Sequence, residues 1–495
     1  MTLAAVEEPL FVDLGAVTIT SRAQNNTDHE ERSTKKRVRN VKFFRAASKL
    51  LTTVIYSAIT FLTLVILSHR LEIDPMIPGL FVALILASYL SGQVCLRLGL
   101  PQVVPMYLIG SGFRTFGIYD DFVNWTVFAN LRYLAVTVIL VKSGLAMNID
   151  VAKNYKSQVL KSSFVISTVE AMALMIAASL FLPGIFPSVW AFVFGFVNSP
   201  TSPTKFASML SLLKAKKKYS NKKLQEIWSF SAPVEIIYCI SVFSVLMSLA
   251  VGTNGKNKML ILIRGIGCVG LGFVAGAVWG LVVGYLPRKD DINLTAKRFF
   301  GLWMGVTAIY FGAKSYGWGP GGPLGTFVGG ICANTTWTYL NRTNKKSVLN
   351  YFNKLWDWIM EPLLFALVGY EISMTDLPMS ASEISIAAGC LTFGVLVRCL
   401  ISIAIHYTCG FSYREIAFLT ISGIPKATVQ AAISPQLLDL VRGTDSETRA
   451  KALVLTSIMA TLIFTTLSTS FLHFFSRRLL KGTEKPLSEQ SACKI

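Results

Sequence analysis

Charge is scarce in this sequence. Only 15% of its 495 residues are Asp, Glu, Lys or Arg, against 53% that are hydrophobic, and the mean hydropathy is +0.53. A soluble domain of this length needs a far more polar surface, so that class is excluded. Histidine is rarer still. His29, His69, His406 and His473 are the whole set, and none stands at a ligand spacing, so no zinc-type metal centre is expected. The eight cysteines are scattered, with Cys95, Cys239, Cys268, Cys332, Cys390 and Cys399 inside apolar runs. They have neither metal-ligand spacing nor a secreted disulfide pattern and read as small apolar residues. No glycine-rich loop runs into Lys-Ser or Lys-Thr, which argues against an ATP-driven pump. No cofactor and no enzymatic activity are expected. The net charge of +20 suggests nucleic acid at first sight, but the lysines and arginines sit in short loops and tails between apolar runs. That placement carries membrane topology instead.

What the chain has in quantity is apolar runs of membrane-spanning length. About fourteen can be counted: 50–68, 78–98, 101–113, 131–148, 160–181, 186–213, 227–251, 258–285, 297–313, 323–338, 352–372, 383–407, 413–436 and 452–475. The expected fold is therefore an all-α polytopic membrane protein. Residues 1–48 read as a disordered basic cytosolic tail, 49–476 as the transmembrane domain and 477–495 as a second basic cytosolic tail. No cleavable signal precedes the first run, which is expected to be an uncleaved anchor. Lys214, Lys216, Lys217, Lys218, Lys222 and Lys223 crowd one loop and mark it as cytosolic. With an even number of spans, both termini then share that side. The stretch Lys35 to Lys49 could meet anionic lipid of the inner leaflet, although plain topogenic charge accounts for it as well.

Two of the runs are broken. Asn198-Ser199-Pro200-Thr201-Ser202-Pro203-Thr204 interrupts the sixth, and Gly423-Ile424-Pro425-Lys426-Ala427-Thr428-Val429 the thirteenth. In hydrocarbon every backbone N–H and C=O must be satisfied internally, so a helix breaks only where it lines a cavity or site. Paired breaks in two halves of a polytopic chain point to the binding centre of a secondary transporter. The offset between them is seven segments. Glu170 in segment five and Arg398 in segment twelve share that offset, and an odd offset means inverted repeats. The glycine string at 317–325 suits a turn or close helix packing.

Ionisable groups at membrane depth cost roughly 2.5–3.5 kcal/mol each on insertion scales, so each needs a partner or a purpose. Lys142, Glu371 and Arg264 stand near segment ends and are expected to snorkel. Glu170 and Arg398, near mid-span, are expected to pair, as a lock of the moving core or as a static bridge. Glu235 lies roughly 13 Å into its helix, with no opposite charge in that helix. Such a carboxylate suits reversible protonation, with proton and cation competing for it. The alternative is permanent pairing with Lys205 or Lys426. Lys426, following Pro425, is also suited to neutralise helix C-terminal ends.

The stretches LRYLAVTVILVKSGLAMNID (131–150), VEA (169–171), EPLLFALVGYEIS (361–373), VRCL (397–400) and PKATVQAAI (425–433) resemble the animal sodium/hydrogen exchanger 9B group of the cation/proton antiporter superfamily. The resemblance implies a bundle of about fourteen helices, a dimerisation domain, a core with two crossed broken helices, and a homodimer. It implies exchange of sodium or lithium, with potassium as a further candidate, for protons by an elevator-like motion. By position it assigns Glu170 and Arg398 to the family's core pair, Lys426 to the lysine of its PKATVQ motif, and 198–204 to its first crossover. The family's Asp-Asp pair is absent. An ungapped count puts Val234 and Glu235 there, whereas alignment on Ser229-Phe230 puts Ser231 and Ala232 there. Lys205 replaces an apolar residue beside the site. A single-carboxylate antiporter is the leading expectation. The alternatives are anion-coupled transport, no cation transport, or a non-transporting membrane scaffold.

Overall fold

A computed structural model describes residues 76–118, 120, 123–202, 222–251, 258–286, 293–340 and 345–479. The chain divides into a short unit, Met1–Val82, of which 76–82 are described and helical, and a larger unit, Ala83–Ile495. The described residues form helices and connecting turns with no strand. Among the described residues seven helices are long and apolar enough to cross a membrane: Pro78–Arg97, Trp125–Ala146, Lys156–Phe181, Glu226–Val251, Met259–Tyr285, Ala381–Thr408 and Glu447–Phe471. The most apolar window of Met259–Tyr285 is only 28% buried, with Ile263, Ile266, Phe273, Val274 and Val278 facing outward. An apolar face of that extent is stable in lipid and would aggregate in water. The chain is a multi-pass integral membrane protein.

Helices are numbered α1 Met76–Arg97, α2 Val103–Thr115, α3 Trp125–Ala146, α4 Lys156–Phe181, α5 Val189–Asn198, α6 Lys222–Val251, α7 Lys258–Tyr285, α8 Leu294–Ser315 and α9 Gly321–Tyr339. The next are α10 Lys345–Leu355, which runs through a π-turn at Trp356–Met360 into α11 Glu361–Gly369, and α12 Ala381–Thr408. The last three are α13 Tyr413–Ser422, α14 Thr428–Val441 and α15 Glu447–Leu479.

Two groups of helices can be distinguished, in contact with each other through α6 and α14. In the first, α3, α8 and α9 pack together, α7 lies along α9, and α2 lies along α11. The seam between α7 and α9 is lined by glycine on both sides. A Cβ on Gly272 would stand 2.0 Å from the Gly321 carbonyl, and one on Gly276 would stand 2.1 Å from that of Gly325. Backbones that touch in this way gain dispersion contacts that larger residues would hold apart. This group is called the scaffold. In the second group, the core, α4 packs on α5 and α12, α6 on α5, α12 on α13, and α15 on α13 and α14.

Within the core the two repeats are visible as elements. The helix α5 stops at Asn198, and α13 stops at Ser422 with α14 restarting at Thr428. The breaks touch each other: the Ser202 amide donates to the Pro425 carbonyl at 2.8 Å, and Gln430 Nε2 donates to the Pro200 carbonyl at 2.8 Å. These bonds satisfy backbone groups that the broken helices leave open. The fold is thus a sodium/proton-antiporter-like bundle with inverted repeats and two crossed discontinuous helices. Pro203 and Lys205 lie outside the described residues.

Candidate functional site

Four ionisable side chains meet where the breaks cross. Glu170 on α4 is fully buried; its Oε2 accepts from Arg398 Nη1 of α12 at 2.6 Å and its Oε1 from Lys426 Nζ at 2.6 Å. Arg398 has a second arm, and its Nη2 stands 2.9 Å from Glu235 Oε1 of α6 and 3.1 Å from Oε2. Both cations also donate to the Ser199 carbonyl, Lys426 at 2.6 Å and Arg398 at 3.2 Å. Ser199 caps the C-terminus of α5, the negative end of that half-helix dipole.

Each position has a local cause. Gly195 lets α5 lie against α4: a Cβ there would stand 2.3 Å from the Ala171 carbonyl, next to Glu170. Pro425 keeps Lys426 out of a helix, so its ammonium points across to α5 rather than along its own axis. The Lys426 carbonyl, left without a helical partner, accepts from Thr465 Oγ1 of α15. Pro233 lies inside α6, two residues before Glu235, and lacks the N–H that would complete the ladder there. Thr201, in the first break, donates its hydroxyl to Glu235 Oε2 at a long 3.4 Å. Ser199 Oγ lies 3.4 Å from Cys239 Sγ, and Asn198 donates to the Phe194 carbonyl within α5. Thr428 opens α14 and lines, with Ser143 and seven apolar residues of α3, α6 and α14, a cavity of about 20 Å³. That volume is room for one water at most.

Two expectations require correction. Glu235 was expected to titrate freely or to pair with Lys205 or Lys426; it forms an ion pair with Arg398, Lys426 reaches Glu170 instead, and the Lys205 alternative lies outside the described residues. Depth along α6 is readable from sequence, but the direction in which the side chain leaves the helix is not. Glu371, expected to snorkel, has a fully buried side chain. It stands just past α11, where the chain turns back under α3, so its carboxylate meets arginines rather than water. Val234 is half-buried and packs on the apolar core, offering no ligand. Ser231 and Ala232, one turn before Glu235, are buried as well. Lys142 stands 3.9 Å from Asp357 at a partly exposed site, and Arg264 is exposed.

Among the described residues the arrangement holds two carboxylates and two cations, so these four are neutral together when all are ionised. Every charge has a partner, which is what makes a buried cluster of this kind tolerable. Glu170 is held by two cations and Glu235 by one arm of Arg398. Glu235 is therefore the acid that can be released without leaving another charge unpaired. Among the described residues no group of three or more His, Cys, Asp and Glu is placed to hold a metal ion.

A second charged cluster escaped the sequence reading. Arg132 of α3, 2% exposed, binds Glu371 at 2.7 Å and Asp439 of α14 at 2.5 Å. Arg442, just past α14, binds Glu371 at 2.8 Å. The available signal was the set of charges at the ends of segments four, eleven and thirteen, which topology brings to one face.

A family model for the transmembrane domain of sodium/hydrogen exchangers matches residues 57–475. Human sodium/hydrogen exchanger 9B1 is 29% identical over 399 residues, covering 78% of this chain and 74% of that protein. The 9B2 protein of Xenopus tropicalis is 29% identical over 371 residues, covering 73% and 66%. Among solved structures, the sodium proton antiporter MjNhaP1 from Methanocaldococcus jannaschii superposes with a TM-score of 0.63 at 15% identity, covering 82% of this chain and 98% of that one.

Proposed function

The chain belongs to the sodium/hydrogen exchanger family, and from that premise we propose that it is a secondary transporter exchanging one monovalent cation for one proton at Glu235. Sodium and lithium are the leading substrates, with potassium the further candidate. The observation that carries the reading is the asymmetry of the buried quartet. Glu170 keeps two cations, whereas Glu235 depends on the second arm of Arg398. A cation or a proton arriving at Glu235 displaces that arm, which stays anchored through Nη1 on Glu170 and the Ser199 carbonyl. Thr201, whose hydroxyl donates to Glu235, offers the incoming cation an oxygen. The cation-loaded and proton-loaded cores then carry the same charge, so exchange is electroneutral. The core, built on the crossed breaks, moves past the scaffold in elevator fashion and exposes Glu235 to either side in turn.

The same reading puts both basic tails, 1–48 and 477–495, on the cytosolic side, with 49–476 as the transport domain. It also has the chain working as a homodimer in a lipid bilayer.

A second reading draws on the closure of the same quartet. If Arg398 never leaves Glu235, the chain keeps the fold without exchanging cations. Reconstitution separates the two. Proteoliposomes holding the wild type should alkalinise internally when Na⁺ or Li⁺ is added outside, and Glu235→Gln should abolish that flux. A silent wild type, or a fully active Glu235→Gln, contradicts the exchange reading.

A further inference from the structure

The second charged cluster is a closed ring that joins core to scaffold. Arg132 and Glu371 belong to the scaffold and pair with each other at 2.7 Å. Asp439 and Arg442 are carried by α14 and pair weakly, at 3.9 Å. Across the seam, Arg132 holds Asp439 at 2.5 Å and Arg442 holds Glu371 at 2.8 Å. Neighbouring groups reinforce the ring: Tyr133 donates to Asp439 Oδ2 at 2.9 Å, and the Arg442 guanidinium lies 3.9 Å over the Trp125 ring. Lys314 of α8 stands 3.3 Å over the ring of Tyr133.

The ring sits on the same helix as the candidate ion site, with Pro435 inside that helix between the two. The helix α14 begins at Thr428, beside Lys426 and Gln430, and reaches Asp439 eleven residues later, about 16 Å along its axis. Any shift of the crossing relative to α3 must carry Asp439 and Arg442 with it. The charges also divide evenly, since scaffold and core each own one acid and one arginine. When the bodies part, each keeps an internal pair, and no charge is stranded in low dielectric. A purely structural bridge would not need that division.

We propose that this ring is a gate, closing the seam at the end where α3 begins and α14 ends, and that its opening accompanies the alternating-access step. The inference rests on the exchange reading above for its purpose. On the orientation proposed there, the gated face is the outer one. The residue set is Arg132, Glu371, Asp439 and Arg442, none of which touches Glu235.

Charge exchange within one body tests it. The double substitution Arg132→Glu with Glu371→Arg keeps the scaffold pair but sets acid against Asp439 and base against Arg442. Asp439→Arg with Arg442→Asp does the same from the core. With full-length protein in nanodiscs, either double variant should raise amide hydrogen exchange at 125–133 and 436–442 by about tenfold, leaving α9 unchanged. All four substitutions together should bring it back. If a charge-exchanged variant cannot be purified, Arg132→Gln with Asp439→Asn removes one cross-seam pair without stranding a charge and should raise the same exchange. Unchanged exchange in the variants, or failure of the fourfold variant to restore it, overturns the gate. Because no ion gradient is used, the result stands apart from flux: a wild type with no Na⁺-driven flux but a ring that behaves as described would reject only the exchange reading.

Discussion

Glu170 and Glu235 are both buried carboxylates bound by Arg398, yet their expected behaviour under substitution differs. Glu170 answers two cations that would otherwise face each other across the Ser199 carbonyl. Glu170→Gln leaves the Lys426 ammonium without its carboxylate, whereas Arg398 still has Glu235, and removing one member of a buried pair typically costs about 3–5 kcal/mol. Its thermal midpoint should fall well below that of the wild type. Glu235→Gln leaves Arg398 still paired with Glu170, so this variant should remain folded and lose only exchange. Fluorescence-detected melting of the two variants checks the contrast, and equal midpoints would contradict it. Glu170 and Arg398 were legible in the sequence because opposite charges stood at matched depth in related segments. Arg132 and Glu371 were not. Their depth placed them near the interface, where snorkelling is the ordinary outcome, and only the fold reveals that α14 covers them.

At the scale of elements, the breaks were readable because proline and small polar residues have no other reason to stand at membrane depth. Which backbone groups would satisfy each other across the crossing was not readable, since that depends on how two distant half-helices meet. The helix starts were also local: Ser380 with Glu383 and Ser412 with Glu415 form capping boxes that open α12 and α13. Pro233, by contrast, stands two residues before Glu235 and was easily overlooked inside a long apolar run. Pro425 offers the sharpest test of an element. Its replacement by alanine returns an N–H and removes about 3 kcal/mol of resistance to helix, inviting α13 to continue into Lys426. Pro425→Ala should therefore retain or gain thermal stability while losing most exchange, as measured by melting and by proteoliposome flux. Normal flux would show that the break does not need that proline.

For the whole molecule, apolar runs and inverted features were enough to recognise a broken-helix bundle, because hydrocarbon permits so few backbone solutions. The division into a glycine-seamed scaffold and a charged core became visible only with the packing. Within that frame the central claim is that one carboxylate, Glu235, carries either a cation or a proton and never both. Competition at a single acid has a quantitative consequence. Where protonation dominates, the apparent KM for Na⁺ should rise about tenfold for each unit of falling pH, since one proton must leave for each cation bound. A site that releases two protons would change about a hundredfold. The direct measurement is Na⁺-driven proton flux in proteoliposomes across a pH series, with the membrane potential clamped at several values. The account predicts a tenfold slope per pH unit and no dependence on potential. A KM that ignores pH, a hundredfold slope, or flux that tracks the potential would contradict it.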